Sequence, residues 1–130
     1  MLEVREKQIK SYKDLLVWQK AYDLALKVYK LTSAFPAHEK YALVQQIRRA
    51  TVSIPSNIAE GNTRNHSKEY VQFLYVALGS KSEVETQLML AKDLGYITAE
   101  DHESSLVRLS EIGKMLNGLI SVLKGRVSNN

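Results

Sequence analysis

The side chains best suited to acid–base or metal chemistry are three histidines, His38, His66 and His102. None has the neighbours such chemistry needs. His66 and Glu69 stand i, i+3 and share a helix face, but two ligands do not make a metal site. A carboxylate-bridged di-iron bundle needs Glu-x-x-His on two helices; here Phe35, Thr63 and Ala99 stand three before the histidines. Helical RNases place arginine four to six residues ahead of histidine, whereas the nearest upstream arginine here is Arg64, two before His66. No glycine-rich phosphate loop and no nucleophile elbow occur. Glu83 and Glu85 are two apart and point to different sides of a helix. Cysteine is absent, which excludes thiol catalysis, disulfides and thiolate metal sites. The residue types predict a non-enzyme with no cofactor, no metal and no small-molecule substrate.

The basic residues offer another chemistry. Residues 1–66 hold eleven Lys/Arg against six Asp/Glu, residues 67–130 hold seven against eight, and the whole chain carries +4. A basic half suits a polyanion. The candidate nucleic-acid contacts are Lys40, Arg48, Arg49, Arg64 and Lys68, and guanidinium matches phosphate better than an isolated ammonium does. With no recognition-helix motif and no base-stacking signature, binding would be backbone-led, salt-sensitive and weakly sequence-specific. The competing class is a protein-docking scaffold without nucleic-acid affinity, in which Arg48 and Arg49 serve subunit contacts.

The elements that must carry these residues are helices. A chain of 130 residues fits one domain, and its six glycines and two prolines fall mostly at joints that cut it into four helical pieces. Short connections favour an all-α, up-down antiparallel four-helix bundle over residues 12–125, with frayed ends at 1–11 and 126–130. Helix one is expected near Lys13–Thr32, with Ser11 as N-cap and Asp14 completing a capping box. Its two stripes, Leu15-Trp18-Tyr22-Ala25-Tyr29 and Val17-Ala21-Leu24-Val28-Leu31, merge into an apolar arc of about 180°, wider than one core-facing seam requires. Helix two is expected near Glu39–Glu60 on the line Leu43, Ile47, Ala50, Ile54 and Ile58. It should be kinked at Pro55 and closed by Gly61 as a left-handed cap. Helix three should run Ser67–Leu94 with Gly95 as its cap. Helix four should start at Thr98 and pack along Leu106, Leu109, Ile112, Leu116, Leu119 and Leu123. No apolar run is long enough to span a bilayer, and the charged first ten residues do not read as a signal peptide, so a cytoplasmic protein is expected.

Two stretches lack charge, Ala50–Ala59 and Tyr70–Ser80. A solvated helix face usually collects Lys and Glu, whereas Ser, Asn and Gly allow another backbone to come near. The expected oligomer interface is therefore Arg49, Ser53, Ser56, Asn57 and Glu60 on helix two with Phe73, Ala77 and Ser80 on helix three. Glu60 at a helix C-terminus needs a cation, which Arg48, Arg49 or Arg64 could supply. A homo-oligomer closed by symmetry follows as the expectation.

The order Leu16-Val17-Trp18-Gln19-Lys20-Ala21, Phe35-Pro36, Gln46-Ile47-Arg48-Arg49-Ala50, then Val52-Ser53-Ile54-Pro55-x-Asn57-Ile58-Ala59-Glu60-Gly61 carries a resemblance. So do Ala77-Leu78-Gly79-Ser80, Glu83-x-Glu85-Thr86 and Leu94-Gly95-Tyr96-Ile97. Over roughly Tyr12–Lys124 the chain resembles the bacterial four-helix-bundle proteins encoded within intervening sequences of 23S ribosomal RNA genes. The resemblance implies an up-down bundle assembled as a ring of five, with no catalytic residues. It also implies a fold similar to the accessory protein of diversity-generating retroelements, a basic pentamer that binds nucleic acid and a reverse transcriptase. On this reading the partners are copies of the chain itself and ribosomal RNA, another nucleic acid or a reverse transcriptase, and no membrane.

Overall fold

Ser11 shapes the start of the fold. In the computed structural model, which describes residues 11–128, the Ser11 hydroxyl accepts from the Lys13 amide at 3.2 Å, and Asp14 Oδ2 accepts from the Ser11 amide at 3.3 Å. The expected capping box is present, but it opens a 3-10 turn over Tyr12–Asp14 and not the long helix itself. Leu15 is extended, and α1 follows over Leu16–Thr32. The break lets Tyr12 fold back edge-on to Trp18 at 5.3 Å, while Trp18 stacks on Tyr22 at 5.1 Å. The fraying expected for residues 1–10 and 129–130 lies outside the described residues.

A 3-10 turn at Ala37–Glu39 leads into α2, Leu43–Thr63, which runs as one helix through the buried Pro55. Its apolar line stays in phase on both sides of the proline, and Leu43, Ile47, Ala50, Ile54 and Ile58 are all buried. Gly61 does not end this helix. Among the described residues only Gly95 has a positive φ, and Gly61 sits buried within α2. The physical reason is proximity: a Cβ at Gly61 would stand 2.8 Å from Tyr70 Cδ1 and 2.9 Å from Phe73 Cβ. The glycine lets α2 and α3 approach.

The local signals at the other two joints hold. α3 covers Ser67–Asp93 and closes in a Schellman motif, with Gly95 at φ 81°, the Tyr96 amide donating to Ala91 O at 2.8 Å and the Gly95 amide to Lys92 O at 2.9 Å. Thr98 Oγ1 accepts from the Asp101 amide at 3.0 Å and caps α4, Ala99–Ser128. α4 therefore continues past the expected boundary at residue 125.

Each helix packs on its neighbours in chain order, and α1 returns to α4, so the four form a square with little contact along its diagonals. Short connections between consecutive packed helices make them antiparallel. α2 and α3 share the most extensive seam. The square uses one α1 stripe fully and the other only in part, through Leu15, Trp18 and Ala25. Val17, Ala21, Leu24 and Val28 are buried, whereas Tyr22 and Tyr29 remain 47% and 44% exposed. Among the described residues no helix is long and apolar enough to cross a membrane.

Candidate nucleic-acid interface

The five basic residues singled out in the sequence do not form one patch. Lys40 and Arg48 lie at one end of α2, and Arg64 and Lys68 lie just past the other. A helix of this length spans roughly 30 Å at ~1.5 Å per residue. Arg49, beside Arg48 in the same turn of α2, faces solvent with no hydrogen bond or ion pair among the described residues.

Arg48 is a structural residue. Its Nε donates to Thr32 Oγ1 at 2.9 Å, its Nη2 to Tyr29 O at 3.2 Å, and its guanidinium lies 4.4 Å from the Tyr29 ring centroid. These groups close the C-terminus of α1, where free carbonyls attract a cation. Arg48→Ala should lower the unfolding free energy by about 1–3 kcal/mol and leave RNA affinity unchanged. Urea titration with a parallel RNA-binding assay would read both effects. Lys40 rests 5.4 Å from the Tyr41 ring centroid.

Arg64 is also engaged. It reaches Glu60 at 3.4 Å and Glu69 at 3.8 Å, and its guanidinium lies 5.2 Å from the Phe73 ring centroid. The cation that Glu60 needs thus comes from its own chain. Lys68, Lys124 and Arg126 have no carboxylate partner among the described residues. Lys68 and Lys124 border one groove of about 420 Å³ with Val71, Gln72, Tyr75 and Val127. The Lys124 ammonium stands 5.3 Å from the Tyr75 ring centroid. Burial pushes the nearby Tyr70 phenol above its ordinary pKa, against the hydrogen bond from Asn62 and the positive charge of Arg126.

Lys124, Arg126 and Tyr75 were missed because they are far from Lys68 in sequence or lie in an apolar run. Up-down topology was the available signal: it brings the end of α4 beside the start of α3.

The expected oligomer face divides in two. Ala77 is 0% and Ser80 5% exposed within the single chain, so neither can meet another copy. Ser80 Oγ donates to Ser53 Oγ at 2.8 Å, and Asn57 Nδ2 donates to Ser53 O at 2.8 Å and to Ser53 Oγ at 2.9 Å. The small polar residues of α2 and α3 therefore serve the close seam between these two helices. Ser53, Asn57 and Phe73 are half-buried there, while Arg49, Ser56 and Glu60 face outward.

A different surface remains uncovered. Tyr12, Trp18, Tyr22, Ala25, Val52, Pro55, Ser56 and Ala59 line a groove of about 270 Å³ between α1 and α2 without one charged side chain. Much of the apolar arc of α1 that the core leaves over is here.

At the other end of the bundle, Tyr96 OH donates to Glu39 Oε2 at 2.8 Å, and His38 Nε2 lies 3.4 Å from Tyr96 OH. The Glu39 hydrogen bond holds the Tyr96 phenol above its ordinary pKa. This cluster ties the α1–α2 connection to the α3–α4 connection. Among the described residues no three His, Asp or Glu gather where a metal could be held.

Comparison with known proteins agrees with this architecture. The family model described as 23S rRNA-intervening sequence protein matches residues 13–118. A crystal structure of a protein with unknown function from the S23 ribosomal protein family of Bacteroides thetaiotaomicron is 29% identical. It superposes with a TM-score of 0.73 over 81% of this chain and 98% of that one. No curated protein matches the chain.

Proposed function

Since the chain belongs to the family of 23S rRNA-intervening sequence proteins, we propose that it is a non-catalytic helical scaffold that holds RNA on the basic end of its bundle. One observation supports this reading: Lys68 and Lys124 border one groove where α3 begins and α4 ends, Arg126 acts on Tyr70 at the same end, and none of the three has a carboxylate partner among the described residues. Three exposed cations at one end of the bundle attract phosphates, so affinity is electrostatic and falls with salt. The protein-docking alternative gives no reason for cations at this end to stay unpaired.

The scaffold also joins copies of itself. The charge-free groove between α1 and α2 supports this, because an aromatic surface with no charges is better covered than wet. The resemblance supplies five as the number of copies. A ring would repeat the basic end around its axis, and an RNA spanning several copies would bind more tightly through avidity.

The reading is tested by titrating a fluorescent 23S rRNA fragment at 50–200 mM salt, concentrations over which phosphate contacts are known to weaken. Lys68→Ala/Lys124→Ala should make the slope of log K against log salt shallower by about 1.4. Arg49→Ala and Lys30→Ala, both remote from this end, should leave it unchanged. No binding at the lowest salt would overturn the assignment.

A further inference from the structure

We infer that the groove bounded by Lys68 and Lys124 takes an unpaired nucleotide, with its base stacked on Tyr75 and its flanking phosphates on the two ammonium groups. This deepens the RNA-binding reading and rests on it. Tyr75 is 43% exposed although it sits in the charge-free stretch of α3, and its ring forms a wall of the groove. Lys68, Gln72 and Tyr75 recur at i, i+4 and i+7, so they line one side of α3. Lys124 and Val127 face them from α4 at i, i+3.

The chemistry of this lining is that of a nucleotide. Val71, Val127 and the Tyr75 ring give an apolar surface for a base. Gln72 offers an amide donor and acceptor to its edge. Lys68 borders the groove from α3 and Lys124 from α4, and among the described residues no carboxylate lines it. In the free protein the Lys124 ammonium shields the ring at 5.3 Å from its centroid. Lys124 is an exposed, flexible side chain, so a phosphate can draw it away while the base takes its place. The volume of about 420 Å³ is within the range that holds a small ligand, ~300–1,000 Å³.

A duplex cannot use this site, because its bases are stacked inside and only its backbone meets the cations. Single strands present both faces of a base and stack on exposed aromatic rings. The groove therefore selects single-stranded RNA over a duplex of the same charge.

The experiment compares a 20-nucleotide unstructured RNA with a 10-base-pair RNA duplex, which carries about as many phosphates, by fluorescence anisotropy on the full chain. The natural protein should favour the single strand by about tenfold. Tyr75→Ala should remove that preference and leave duplex affinity unchanged; Tyr75→Phe should keep it. In the single strand, 2-aminopurine should be quenched by the natural protein and by Tyr75→Phe but not by Tyr75→Ala. Circular dichroism confirms that each variant is folded. Equal, salt-sensitive binding of both RNAs that ignores Tyr75→Ala would overturn the stacking site and leave the electrostatic reading standing. Absence of binding to either RNA at low salt would overturn both.

Discussion

Gly61→Ala should lower the unfolding free energy by about 1–3 kcal/mol, the usual penalty for an overpacked contact. On helix propensity alone the change would stabilise α2 by roughly 0.5–1 kcal/mol. The contact reverses the sign. The added methyl would meet Tyr70 Cδ1 at 2.8 Å, Phe73 Cβ at 2.9 Å and Tyr70 O at 3.3 Å. Two of these atoms belong to, or directly adjoin, the α3 backbone. The third belongs to a buried ring whose hydroxyl accepts from Asn62 at 3.2 Å. None is a flexible tip that can step aside, so α2 and α3 must separate. That separation also stretches the 2.8 Å bond from Ser80 to Ser53. Thermal unfolding followed by circular dichroism should show Tm falling by several degrees, about 3–6 °C for each kcal/mol in a domain of this size. Gly118→Ala, where nothing lies within 4 Å, should move Tm slightly upward. A rise for both variants would mean that close approach at Gly61 does not matter.

Tyr22→Glu should keep the bundle folded and dissociate the assembly. Tyr22 contributes nothing to the closed core, yet it stacks on Trp18 at 5.1 Å and borders the charge-free groove between α1 and α2. A carboxylate at this point is solvated in a free chain. Covered by a second copy it loses that water without gaining a cation from the groove, and burying an unpaired charge costs several kcal/mol. Each 1.4 kcal/mol is tenfold in the dissociation constant, so association should weaken by about 10²-fold or more. Light scattering at micromolar concentration should report a multimer for the natural chain and a monomer for the variant, with unchanged helical content. A monomeric natural chain would end the self-assembly proposal. It would leave the basic end untouched.

These outcomes separate what was legible in the residues from what was not. The serine cap at Ser11, the Thr98 cap and the Gly95 turn were readable because each acts within a few residues of itself, through bonds that need no partner helix. The in-phase line through Pro55 likewise indicated one continuous α2, because apolar periodicity reports which face a helix buries. The absence of cysteine was plain in the composition.

The roles of the small and basic residues depended on where other helices lay. Gly61 resembles a cap in sequence, but Tyr70 and Phe73 make it a point of close approach. Ser53, Asn57 and Ser80 suit any nearby backbone, and the fold supplies one from the same chain. Arg48 and Arg64 were candidates both for phosphate and for Glu60; the C-terminus of α1 engages the first, and Glu60 and Glu69 hold the second. Lys124 enters the candidate site only because α4 runs back along α3. By itself the sequence determined the four helices, the caps at Thr98 and Gly95 and the main buried stripes, since these follow from backbone hydrogen bonding and local periodicity. Only the tertiary structure decided which charges are neutralised and which are left for a partner, because that depends on contacts between residues distant in the chain.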